Sequence, residues 1–81
     1  METTGTAHIA IRLAAEADTA SIARLAALDS AELPAAPTLV ADVDGEIVAA
    51  RSLSQPRSIS DPFRPTADIR ELLELRARQA A

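Results

Sequence analysis

The chain has 81 residues, a formal net charge of −4 and no cysteine. That length allows one domain, the acidic balance argues against nucleic-acid binding by bulk electrostatics, and the missing cysteines exclude disulfides and thiolate metal sites. A domain this small buries only about 60–65% of the surface its unfolded chain exposes.

The core is thin as well. The apolar fraction is 48%, but roughly half of it is alanine, and Phe63 is the only aromatic residue. Each fully buried Leu, Ile or Val contributes roughly 1.5–3 kcal/mol, and few are present. Self-association is the common remedy for a small core without staples, so a dimer or a partner-bound protein is expected. All eight basic residues are arginine, which together with the alanine excess suggests a bacterial, high-GC coding bias. No stretch reaches the roughly 18–20 apolar residues of a membrane span. The first residues lack a basic and then apolar leader pattern. The expected compartment is the cytoplasm.

Residues 1–7 are Thr/Gly-rich and read as a flexible N-terminus, with a single domain over 8–81. His8 to Leu13 alternates with a period of two and reads as a strand. Glu16 to Leu28 reads as one helix, with Ile22, Leu25 and Ala26 as its apolar stripe and Arg24 on the opposite side. Glu16 and Asp18 in its first turn suit the helix dipole. Pro34 and Pro37 open a rigid connection after it.

Thr38 to Val43 and Glu46 to Leu53 read as a hairpin closed by Asp44-Gly45, the pair preferred where both turn residues need positive φ. A regular ladder then pairs Val43 with Glu46, Ala41 with Val48 and Leu39 with Ala50, leaving Val40, Asp42, Ile47, Ala49 and Arg51 on the other side. Both sides are largely apolar, so the sheet is expected to carry a helix on each face. Arg57 to Ser60 reads as a short fourth strand anchored by Ile59. Asp61 to Pro65 is a loop constrained by two prolines. Thr66 to Gln79 reads as a helix with Thr66 as N-cap. Its core stripe is Ile69, Leu72 and Leu73, widened by Leu75, and Arg70–Glu74 and Glu74–Arg78 are i,i+4 pairs on its solvent side. The fold class is therefore α+β, a small, mostly antiparallel sheet in β-α-β-β-β-α order.

Ile11-Arg12-Leu13-Ala14-Ala15-Glu16-Ala17-Asp18, followed by Ile22-Ala23-Arg24-Leu25, resembles the first strand and helix of the GNAT N-acetyltransferase superfamily. Leu39 to Ala49, with its Asp-Gly turn, resembles that family's next hairpin. The resemblance covers residues 9 to 80 and implies the N-terminal half of the GNAT fold. It also implies a place for acetyl-CoA: a Q/R-x-x-G-x-G/A loop whose backbone N–H groups cradle the pyrophosphate at a helix N-terminus. The matching residues are Arg64 to Ile69. Arg64 falls on the first position, while Ala67 and Ile69 stand where the pattern has small residues. Pro65 has no N–H to donate, Ala67 and Ile69 carry side chains where the backbone must approach a ligand, and Asp68 places a negative charge in the first turn. Ala15 stands where the family has a capping Thr. No tyrosine is present to match the general acid.

Two functions from different classes follow. One is a non-catalytic GNAT-like protein that acts by self-assembly or by binding a partner protein, with no cofactor, no metal and no catalytic residue. The other is a minimal acyl-CoA-binding protein or N-acetyltransferase whose cleft is completed by oligomerisation, with Arg64, Thr66 and Ala67 on the cofactor. The balance leans away from an enzyme. A small acidic regulator that masks a basic protein surface is permitted by the charge but not argued for by it. Interface candidates are Phe63, Leu72, Leu73 and Leu75. Phe63 is read first as a plug under the Pro-rich loop and second as a partner-facing anchor. The leucine ridge fits either a cover for the sheet or a symmetric second copy. Arg51, Arg57 and Arg64 could form an anion patch, against ion pairing with nearby acids. His8 reads as an exposed spacer. Asp42 to Glu46 reads as a turn and not as a calcium loop, which needs more oxygen ligands.

Overall fold

The computed structural model describes residues 8–80; the N-terminal segment 1–7 lies outside them. The chain runs β1 (Ile9–Leu13), a single 3-10 turn (Glu16–Asp18), α1 (Thr19–Leu28), β2 (Thr38–Val43), β3 (Glu46–Ser52), β4 (Ser58–Ser60) and α2 (Ala67–Ala80). The strands form one sheet in the order β1-β2-β3-β4, antiparallel throughout. The fold is the expected small α+β class, with one helix on each face.

The two faces hold two separate cores. On one, Leu39, Ala41, Val43, Val48 and Ala49 pack with Leu73 and Ala77 of α2, and Ile11, Leu53 and Ile69 close the margins. On the other, Val40, Ile47, Ala50 and Ile59 pack with Leu25 and Ala26 of α1, with Ala14 and Ile22 at the margin. Helix α2 lies over β2 and β3, and α1 lies over β3 and β4. Strand β1 is outside the main footprint of both.

The hairpin turns where the sequence places it. Asp44 has φ 53° and Gly45 φ 89°, the left-handed pair that an Asp-Gly turn requires. The ladder beyond it departs from the regular one. Val43 pairs with Glu46, but Ala41 pairs with Ala49 and Leu39 with Arg51, with a register shift between Ala41 and Asp42. Val48 is the extra residue of a β-bulge. The pairings Ala41–Val48 and Leu39–Ala50 are therefore corrected, and Ala49 and Ala50 exchange faces relative to a regular ladder. The Val48 carbonyl, released from β2, accepts the Asp61 N–H at 2.9 Å. The bulge is thus tied to the segment just after β4.

The first helix is also corrected. Glu16 to Asp18 is a 3-10 turn, and the α-helix begins at Thr19. Asp18 is buried, so it does not serve as a solvated dipole charge. The helix ends in a complete Schellman motif: Ala31 N–H donates to the Ala26 carbonyl at 2.9 Å and Ser30 N–H to the Ala27 carbonyl at 3.2 Å, with Ser30 in the left-handed region at φ 51°. Asp29 accepts the Ser60 N–H at 3.2 Å, which fastens β4 to the end of α1.

In α2 the core stripe is Ile69, Leu73 and Ala77, spaced by four. Leu72 and Leu75 are exposed; they lie about 100° and 160° around the helix from Leu73, outside the buried stripe. Glu74 binds Arg51 across from β3, so the expected i,i+4 pairs give way to a tertiary one. Thr66 precedes the helix, is buried, and its carbonyl accepts the first helical N–H, from Arg70, at 2.8 Å.

Candidate functional site

The three arginines weighed as an anion patch do not gather. Arg64 donates to Glu46 at 2.6 Å, at the start of β3. Arg51 lies five residues on and grips Glu74 through Nε at 3.0 Å and Nη2 at 3.1 Å. Its Nη1 also donates to the Ser52 carbonyl, and to the Gln55 carbonyl at 3.0 Å. Arg57 pairs with Glu32 at 3.0 Å. At about 3.3 Å per strand residue, the Arg64 and Arg51 sites sit at opposite ends of β3. Each guanidinium is committed to a carboxylate. Glu74 is held below the usual carboxylate range, first by its hydrogen bonds from Arg51.

The residues assigned to a cofactor under the alternative do share one short segment. Arg64, however, points to Glu46, Thr66 is buried and Ala67 opens α2. Ala67 also lines a groove of about 550 Å³ between α2 and β4, shared with Ser58, Arg70, Glu74, Leu75 and Arg78. Its charged groups balance, two arginines against Glu71 and Glu74, so it offers no net field for a diphosphate. Among the described residues, no group of three His, Cys, Asp or Glu side chains is placed to hold a metal ion.

The interface candidates divide. Leu73 is 1% exposed and belongs to the core, so it is corrected from partner contact to packing. Phe63 is 81% exposed, which overturns the plug reading. Its N–H is held by the Asp61 carboxylate at 2.9 Å, a turn that presents the ring outward. Leu72 and Leu75 are 42% and 44% exposed.

Leu33, 59% exposed, was missed in the sequence, and so were two side chains of β1, Ile9 at 44% and Leu13 at 58%. Alternation alone marks them as inward-facing, and so it does in register: they stand opposite Val43 and Leu39, on the α2 face. They stay exposed because α2 is centred on β2 and β3. Leu13 also forms one wall of an apolar groove of about 360 Å³ with Ile22, Leu33, Pro34 and Pro37.

A charged cluster beside β1 was missed too. Arg12 reaches Asp18 through both terminal nitrogens, at 2.7 and 3.1 Å, and Asp42 at 3.3 Å. Asp18 also accepts the Ala15 N–H at 2.7 Å. Its carboxyl is pushed down to about 2, first by the Arg12 hydrogen bond and then by the Ala15 N–H. The pKa of Arg12 rises, chiefly through Asp18. Ala15 has no side-chain oxygen to cap the turn, and the Asp18 carboxylate instead closes it by accepting the Ala15 N–H. The cluster holds β1, the 3-10 turn and β2 together, and its charges are spent on one another. The signal for it was the Arg12 to Asp18 spacing within the opening motif.

No family model, curated protein or solved structure matches this chain. No helix among the described residues is long and apolar enough to cross a membrane.

Proposed function

We propose that the chain is a non-catalytic, GNAT-like half domain that acts through assembly, as a homo-oligomer or as a binding module for another protein, in the bacterial cytoplasm. The observation that carries this reading is the distribution of large apolar side chains. Ile9, Leu13, Leu33, Phe63, Leu72 and Leu75 are all exposed in a chain with few large apolar residues to spare. Leu72 projects from the flank of α2 opposite Glu74, whose partner Arg51 lies on β3. That flank therefore looks toward β1, where Ile9 and Leu13 are uncovered. Exposed large apolar side chains in this number, in so small a domain, point to surfaces that another chain covers.

The acyl-CoA alternative draws on the same segment through Arg64, Thr66 and Ala67. The ion pair of Arg64 with Glu46 and the missing donor at Pro65 weigh against it. Titrating acetyl-CoA into the protein while following backbone amide shifts separates the two. The assembly reading expects no saturable shift at Arg64 to Arg70. Saturable shifts there would overturn it in favour of cofactor binding.

A further inference from the structure

We propose that the occupant of the outer β1 edge, which no strand covers among the described residues, is the β1 edge of a second copy, joined antiparallel about a twofold axis through Ile11 into one continuous eight-stranded sheet. This rests on the assembly reading above and names its partner and its contact.

The backbone fixes which groups are available. The Asp44 N–H donates to the His8 carbonyl at 2.9 Å, and the Ala14 N–H to the Thr38 carbonyl at 2.8 Å. Residues 8, 10, 12 and 14 therefore turn their polar groups toward β2, and Ile9, Ile11 and Leu13 turn theirs outward, since antiparallel strands alternate. Three N–H and three C=O groups line the open edge. A second β1 laid antiparallel with Ile11 opposite Ile11 puts Ile9 opposite Leu13 and Ala10 opposite Arg12. Every outward donor then meets an outward acceptor, as an isologous contact requires.

The two edges of the sheet differ in how they are protected. Edge strands are normally kept short or blunted by proline and charge. Strand β4 has three residues and sits between Pro56 and Pro62. Strand β1 has five, Ile-Ala-Ile-Arg-Leu, with one charge. That charge is drawn back by Asp18 and Asp42, so a twofold brings no uncompensated like charges together. Among the described residues the approach is sterically open, because both helices are centred on other strands. On the α2 face the two strips of Ile9, Ile11 and Leu13 would merge, flanked by Leu72 from each copy.

The strand is only about 17 Å long, so the contact is small and the dimer is expected to dissociate in the micromolar range or above. Light scattering from about 10 µM to about 1 mM should show the mass double. Amide exchange on the same samples should slow at Ile9, Ile11 and Leu13 as it does. Ile9→Lys, at an exposed side chain, should leave the far-ultraviolet circular dichroism unchanged and raise the dissociation constant about tenfold or more. Adding Leu13→Glu to it sets opposite charges across the twofold and should recover much of the loss. A monomer at all concentrations would overturn the inference. So would protection of the three amides in a monomer, which would assign the edge to this chain's own first residues. A dimer whose three amides exchange freely would overturn the edge contact while leaving the assembly reading in place.

Discussion

Replacing Asp18 by asparagine isolates the clamp on β1. Asparagine keeps the shape and an oxygen for the Ala15 N–H but removes the charge that Arg12 binds. In the folded chain the Asp18 carboxyl sits at about 2 against an ordinary 3.8, a difference worth roughly 2.5 kcal/mol at 1.36 kcal/mol per unit. The Arg12 side chain is 41% exposed, and solvent screening reduces this to about 1–2 kcal/mol. Because the folded pKa is depressed, the stabilisation is complete above about pH 4 and is lost as pH falls toward 2. Asp18→Asn should therefore be less stable than wild type by about 1–2 kcal/mol at neutral pH, and the gap should close between pH 4 and 2. The chain has no Trp or Tyr, so urea unfolding is best followed by far-ultraviolet circular dichroism, with equal m values as the check that only stability changed. Two stability curves that stay parallel from pH 5 to 2 would refute the clamp.

Three other outcomes are expected from the same unfolding assay. Leu73→Ala should cost about 2–4 kcal/mol and Leu72→Ala well under 1, since only the first is buried; equal losses would mean that α2 is rotated. Ser30→Gly should stabilise by about 0.5 kcal/mol, because serine holds the left-handed position of the Schellman motif at φ 51°; a loss would show that this residue is not in that region in solution. Gly45→Ala should cost about 1 kcal/mol from backbone strain alone, as φ is +89° and an added Cβ would meet nothing within 4 Å; a neutral result would contradict the turn.

The elements were largely legible, and the reasons are local. Asp44-Gly45 between two strand-like runs favours its turn by local backbone preference, and Val/Ile/Leu-rich runs on both sides of it favour a sheet covered twice. What escaped was tertiary. The ladder beyond the turn slips at Val48, whose carbonyl turns from β2 to the N–H of Asp61, a residue thirteen positions away that no hairpin rule contains. Glu74 fits two arginines on its own helix but binds one on β3. Asp18 has the composition of a helix start, and only the proximity of β1 and β2 makes it a buried ion-pair partner. For the site, pattern could name exposed candidates on α2 but not Ile9 and Leu13. Their exposure depends on where α2 is centred, which is a property of the packed whole.

The bulge also means that β3 is written in two reading frames. Before Val48 the strand sends Ile47 to the α1 side. After it, Ala49 and Arg51 belong to the α2 side and Ala50 to the α1 side. A polar residue is tolerated at position 51 because the extra residue has moved that position over the margin of α2, within reach of Glu74; in an unbroken frame the same arginine would point into the Leu25 core. One residue of length, carried by a valine with no chemistry of its own, thus decides which half of the molecule receives a charge.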